Sequence, residues 1–206
     1  MAKYLYVLCG HTAAGKTTLG KKICDKLKME LVSEGKIKRE MVGESYTADN
    51  SLDEALRDRG YKKAIDISIE KLKDCNQILL DASFHKKFRR DWIKDAIDKS
   101  NLDIVTIWLY VYCPNKDKVI ERIQERKVAK KEADNQADSI KIYEHIISTF
   151  DMLKKEDMWD NSLAYIFNTD IEMVEDRYEK NLTLADDKYI KKLERFVYSY
   201  FIGESE

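Results

Sequence analysis

Eight consecutive residues, Gly10-His11-Thr12-Ala13-Ala14-Gly15-Lys16-Thr17, concentrate the chemistry of this chain. They fit the phosphate-loop pattern G-x-x-x-x-G-K-[ST] at every fixed position. Glycines at both ends let the backbone curl until successive N–H groups point inward at a phosphate, and a helix starting at the loop's end adds its positive pole. In that geometry Lys16 reaches the β- and γ-phosphates and the Thr17 hydroxyl ligates Mg²⁺. Residues Gly10 to Thr17, with Thr18 behind them, are therefore the expected contacts of a nucleoside triphosphate.

Four further groups of residues could serve that site. Gln77-Ile78-Leu79-Leu80-Asp81 is an apolar strand ending in an acid. At the C-terminal end of a parallel strand, Asp81 would face the ligand crevice and hold Mg²⁺ together with Thr17. Lys118, Arg122, Arg126 and Lys130 recur every four residues and so share one helix face. Their place in a charged insertion reads as a lid, with Arg122 and Arg126 stabilising charge on a transferring phosphoryl group and Lys118 and Lys130 on the surface. The run Glu34-Gly35-Lys36-Ile37-Lys38-Arg39 follows the second strand, where an acceptor would lie; it reads equally as an anion-holding segment or as a solvated charge run. His85 sits beside Lys86, Lys87, Arg89 and Arg90, and His11 lies within the loop. Neither has a serine or carboxylate at a partner spacing, so nucleophilic catalysis is unsupported, and the three tryptophans, Trp92, Trp108 and Trp159, read as packing residues.

Positioning these groups requires strands and helices in alternation. Apolar runs at Tyr4–Cys9, Met29–Ser33, Gln77–Ala82, Asp103–Cys113 and Leu163–Asn168 read as five strands. Between them, Leu19, Ile23 and Leu27 mark a helix directly after the phosphate loop. Ile65, Ile69 and Leu72 mark another; Phe88, Trp92 and Ala96 a third; Val119, Ile120 and Ile123 a fourth; Ile140, Tyr143, Ile147 and Phe150 a fifth. Ile190, Leu193, Val197 and Tyr200 predict an outer helix over about 186–202. Continuous apolar strands alternating with helices predict an α/β fold, three layers deep, with a parallel sheet covered on both faces.

The whole chain sets the bounds. Its 206 residues suit a single domain, with a lid at about 115–138. It is 44% hydrophobic and 36% charged with net charge −1, so no global field attracts a polyanion. Four scattered cysteines, Cys9, Cys24, Cys75 and Cys113, lack metal-type spacing and read as reduced thiols of a cytoplasmic protein. No apolar run approaches membrane-spanning length, and no obligate protein partner is evident.

A GTPase would show D-x-x-G and [NT]-K-x-D; Asp81-Ala82-Ser83-Phe84 is not the former and the latter is absent. From Met1 to about Asp170 the chain resembles small P-loop kinases that group with zeta-toxin-like and polynucleotide-5′-hydroxyl-kinase-like proteins. The resemblance rests on Gly60-Tyr61 through Asp81-Ala82-Ser83-Phe84, followed by a basic helix with Arg89 and Arg90. It extends to Val119 through Arg126, similar to a lid signature R-[LI]-x-x-R, and to Ala137 through Glu144, similar to an S-D-A-x-x-x-x-Y-E run. Phe167-Asn168-Thr169-Asp170 matches a strand-ending turn near the adenine. This resemblance implies a P-loop NTPase fold with a five-stranded parallel sheet in the order 2-3-1-4-5 and a helical lid. It also implies phosphoryl transfer from ATP to a hydroxyl of a small molecule, nucleotide or polynucleotide end. Where such kinases carry an acceptor-activating Asp after the second strand, Gly35 stands here. Glu34 beside it, or Asp81, then takes the role of base, or the acceptor differs. The alternative is an ATP-binding or ATP-hydrolysing regulatory protein without an acceptor.

Overall fold

The structure is a computed structural model that describes residues 2–43, 53–128, 140–180 and 188–202. Its elements run β1 (Lys3–Cys9), α1 (Lys16–Leu27), β2 (Glu30–Ser33), α2 (Glu34–Val42), α3 (Glu54–Asp74), β3 (Gln77–Asp81) and α4 (Lys87–Ser100). They continue β4 (Ile104–Tyr112), α5 (Lys116–Val128), α6 (Ile140–Ser148), β5 (Ser162–Asn168), β6 (Met173–Lys180) and α7 (Lys188–Ile202). The strands form one sheet in the order β2-β3-β1-β4-β5-β6. The first five are parallel, as expected. The sheet has six strands, not five, because β6 turns back and pairs antiparallel with β5.

Alternation along β1 shows how the layers are built. Leu5, Val7 and Cys9 point to one face, where they pack with Tyr61, Ala64 and Ile65 of α3 and Ile93 of α4. Tyr4, Tyr6 and Leu8 point to the other, against Leu19, Ile23 and Leu27 of α1 and Ile190, Leu193 and Val197 of α7. Period-two strands thus feed two apolar layers, each closed by period-3.6 helices. A third, smaller cluster joins Ala13 of the phosphate loop to Val119 and Ile123 of α5 and Tyr143 of α6.

Two helices turn a different face inward than their apolar stripes predict. On α4, Phe88 is 42% exposed, while Arg89, Arg90 and Ile93 are buried. On α6 the buried residues are Ile142, Tyr143 and Ile146, with Ile140 and Ile147 exposed. On α4 the inward face follows specific partners: Arg90 donates to the carbonyls of Phe84 (2.9 Å) and Asp151 (2.8 Å), satisfying backbone groups outside the sheet. The expected lid at 115–138 is helical through α5. Residues 129–138, including Lys130, lie outside the described residues, as do 186–187 of the expected C-terminal helix.

Candidate phosphate-loop and acceptor site

Strand register brings the candidate residues to one end of the sheet. Leu8 of β1 and Ser33 of β2 both align with Asp81 of β3. The phosphate loop begins two residues beyond Leu8, Glu34 begins α2 directly after Ser33, and Asp81 closes its own strand. The three chain segments therefore emerge side by side at the C-terminal edge of a parallel sheet, where ligands bind in such folds.

The loop's shape depends on its glycines. Gly10 has φ +142°, and a Cβ there would fall on the Val111 carbonyl of β4. Gly15 caps α1 at φ +96°. His11 is buried; its Nε2 accepts from the Cys113 N–H (2.9 Å), which leaves Nδ1–H to donate to the Thr12 carbonyl (2.8 Å). Burial pushes this imidazole down to about 4, so it is neutral at physiological pH. His11 is a structural strut between the loop and β4. Lys16 donates from Nζ to the His11 carbonyl (2.6 Å), spanning the loop. Thr12, Ala13, Gly15, Lys16 and Thr17 line an open cleft, Gly10, His11 and Ala14 are buried behind it, and Thr18 is exposed beside it.

The Thr17 hydroxyl donates to Asp81 Oδ2 (2.9 Å), bringing together the two residues assigned to Mg²⁺. Asp81 is nearly buried. One carboxylate and one hydroxyl beside a phosphate loop are the sparse, all-oxygen donor set that suits Mg²⁺, which takes its remaining ligands from substrate phosphates and water. The residues fit that ion.

On the opposite wall of the cleft stand Glu34 and Lys38, one turn apart on α2, with Arg57 and Tyr61 of α3. Ser33 caps α2 by accepting from the Lys36 N–H (3.4 Å). Glu34 and Lys38 are both buried and pair at 3.1 Å. Burial pulls the Lys38 ammonium below its ordinary value, while the Glu34 carboxylate opposes that shift. Glu34 and Lys38 are therefore withdrawn from solvent, while Lys36 of the same run is exposed. Gly60 permits the close approach of α3: a Cβ there would sit 2.5 Å from Lys38 Cγ and 2.9 Å from Glu34 Oε1. Ile142 and Ile146 of α6 add an apolar flank.

Arg122 reaches the loop from α5. Its guanidinium donates to the Ala13 carbonyl (3.4 Å), to Thr169 Oγ1 (3.1 Å) and to the Thr169 carbonyl (3.2 Å). Thr169, just past β5, donates in turn to the Ala14 carbonyl (2.9 Å). Arg126 lies one turn further along α5, with its side chain outside the described residues. Lys118, expected on the surface, is half-exposed and tied to Asp170 through Oδ1 (3.2 Å) and the backbone carbonyl (3.0 Å).

The sequence pattern assigned Arg57 and Ile146 no role, placed Tyr61 and Ile142 only within stretches of family resemblance, and weighed His85 only for nucleophilic catalysis. Arg57 had a readable signal, because it interrupts the apolar stripe Leu56, Gly60, Tyr61, Ala64 on the buried face of α3. A cation in such a stripe is rare unless something pairs with it.

A parallel sheet in this order, with a glycine loop between its central strand and the next helix and an acid ending the neighbouring strand, defines a P-loop NTPase fold of the kinase type. The chain belongs to the AAA-domain family AAA_33, which it matches over residues 5–144. No curated protein matches it. Among solved structures it is similar to a candidate kinase from Chloroflexus aurantiacus, with 16% identity, 84% of this chain and 92% of that one covered, and a TM-score of 0.64. A sugar kinase from Janibacter sp. HTCC2649 follows at 12% identity, 97% and 94% coverage and a TM-score of 0.61. The APS kinase CysC of Mycobacterium tuberculosis, in complex with AMPPNP and APS, gives 14% identity, 95% coverage of both chains and a TM-score of 0.53. These likenesses bear out the fold expected from the resemblance to small P-loop kinases. No described helix is long and apolar enough to cross a membrane.

Proposed function

We propose that this chain is an ATP- and Mg²⁺-dependent kinase that moves the γ-phosphoryl group of ATP to a hydroxyl of a small molecule, nucleotide or polynucleotide end. One observation carries the reading: the buried Glu34 carboxylate lines the same cleft as Lys16, Thr17 and Asp81. A binder of ATP alone has no need of a desolvated carboxylate facing its phosphate loop. Likeness to kinases of sugars and of APS adds support for a hydroxyl acceptor.

In this reading the loop amides and Lys16 hold the β- and γ-phosphates, and Thr17 and Asp81 hold Mg²⁺, which neutralises phosphate charge when bound. An acceptor hydroxyl enters from the Glu34 side. Its oxygen bonds to the γ-phosphorus as the bond to the β–γ bridging oxygen breaks, and its proton passes to Glu34. Asp81 is tied to Thr17 and serves the metal side instead. Arg122, already against the Ala13 carbonyl, is placed to stabilise charge moving onto the leaving oxygen. Arg126 is assigned the same role from its position on α5.

The test measures ADP release with nucleosides, 5′-hydroxyl oligonucleotides, sugars and nucleotide sugars as acceptors. Release should depend strictly on an added acceptor, and Glu34→Gln should lower it by about 10²–10⁴ without changing ATP affinity. Turnover at one rate with every acceptor and with none would favour the regulatory ATPase reading.

A further inference from the structure

The wall of the cleft facing the phosphate loop is more cationic than a base for a neutral hydroxyl requires. Lys38 and Arg57 are each 3% exposed. Cations are costly to bury unless anions meet them. Lys38 meets Glu34, and Arg57 Nη1 meets Glu54 at 3.3 Å. The other edge of the guanidinium, Nη2, faces the ring nitrogens of His85 at 3.3 and 3.4 Å. His85 brings no negative charge: burial pushes its imidazole down to about 2, and Arg57, Arg89 and Lys86 push the same way.

Glu54 is also shared. It accepts from Lys86 (3.3 Å) and touches Arg89, which pairs in addition with Asp58 (2.7 Å). Among the described residues, this ion-pair network, with Lys38, Arg57 and Glu34 on the cleft wall and the rest behind it, sets four cations, Lys38, Arg57, Lys86 and Arg89, against the three carboxylates Glu34, Glu54 and Asp58. One positive charge is left over, and a second appears whenever Glu34 holds the acceptor's proton.

We infer that this wall is an anion subsite: the acceptor carries a phosphate, sulfate or carboxylate on the same small molecule as its reacting hydroxyl, and Arg57 and Lys38 seat that group. The inference rests on the kinase reading above and narrows its substrate class. Each Nη of Arg57 carries two N–H groups, so beside its contacts with Glu54 and His85 the guanidinium keeps donors that match an oxyanion. Ile142 and Ile146 then cover the carbon skeleton. Seating the anion beside Glu34 fixes the hydroxyl's reach to the γ-phosphate, and its charge offsets the excess on the wall.

Two measurements test this. In the first, protein saturated with AMPPNP and Mg²⁺, so that the phosphate loop is filled, is titrated calorimetrically with inorganic phosphate at constant ionic strength. One equivalent should bind. Arg57→Met should weaken it about 10- to 100-fold, the range expected for one charge-assisted contact, and Arg57→Lys should restore most of that loss. Absence of saturable binding, or equal binding by Arg57→Met, overturns the subsite.

In the second, wild-type protein is given matched acceptors, adenosine against adenosine 3′-monophosphate and glucose against gluconate. At least one charged member should exceed its neutral partner tenfold or more in kcat/KM. Neutral members used as well as charged ones overturn the substrate class and leave the kinase reading standing. Phosphate binding that depends on Arg57, with no acceptor-dependent ADP release, upholds the subsite and overturns the kinase reading. The second measurement needs no variant, so a misfolded Arg57→Met cannot mask the answer.

Discussion

Gly60→Ala separates catalytic positioning from stability. In the middle of a helix, alanine is favoured over glycine by about 0.5–1 kcal/mol. Here the added methyl would stand 2.5 Å from Lys38 Cγ and 2.9 Å from Glu34 Oε1. Ordinary carbon contacts lie at about 3.5–4.0 Å, so the Lys38 stem must retreat by about 1 Å. Lys38 and Glu34 are buried and paired, and neither can swing into solvent. Overpacking of this kind costs about 1–3 kcal/mol. Set against the helix gain, the net loss of stability is about 0–2.5 kcal/mol. Catalysis should suffer more, since a misplacement of about 1 Å at a reacting group costs about 10²-fold in rate. Urea unfolding, ATP binding by calorimetry and acceptor-dependent kcat would be measured on one preparation. A modest fall in stability, unchanged ATP affinity and a roughly hundredfold fall in kcat are expected. Wild-type kcat in a folded Gly60→Ala protein would refute the placement of Glu34 and Lys38 at the reacting hydroxyl.

Other perturbations probe the remaining parts of the site. Lys16→Ala should nearly abolish turnover and weaken ATP binding, because the loop loses the ammonium that spans it; near-normal affinity and turnover would remove the phosphate-loop assignment. Arg122→Ala should lower kcat strongly, by up to about 10³–10⁵ as for a guanidinium acting in the transition state, with a modest change in ATP affinity. Wild-type turnover there would leave Arg122 as a tether between α5 and Thr169. Stability should also fall on acidification. His11 and His85 are held neutral by burial, at about 4 and about 2, against about 6.5 in an unfolded chain. The stabilisation is intact above about pH 6.5. Below it the unfolded chain takes up protons that the folded protein refuses, down to about pH 4 for His11 and about 2 for His85. Each group then costs about 1.4 kcal/mol per pH unit. Urea unfolding at pH 7 and pH 5 should show this, and His85→Asn should flatten the slope by about one proton; an unchanged slope would contradict the neutral assignment.

Much of this arrangement was legible in the residues. The phosphate loop, the five parallel strands and Asp81 at a strand end announce themselves because each is a short, local pattern with one backbone solution. β6 escaped notice because Met173–Lys180 is an edge strand rich in charge, and such strands lack the apolar run that marks an interior one. The acceptor wall was harder for a related reason. Helix faces are read from apolar spacing, whereas α2 and α3 bury Lys38 and Arg57 through ion pairs within one helix, and α4 buries Arg89 against carboxylates of α3, an element distant in sequence. The five residues Glu34, Lys38, Glu54, Arg57 and Arg89 become intelligible once helix packing makes them neighbours.

The packing of α7 on α1 bears on how the chain is made. Leu19, Ile23 and Leu27, on the helix that follows the phosphate loop, share one apolar cluster with Ile190, Leu193 and Val197. A ribosome releases the segment with the phosphate loop and α1 long before it releases residues 188–202. During that interval the outer side of α1 and the Tyr4, Tyr6 and Leu8 face of β1 lack part of their cover and offer an adhesive surface to chaperones or to other nascent chains. The phosphate loop thus gains its finished support only once residues 188–202 have emerged, when a segment far along the chain closes over one made well before it.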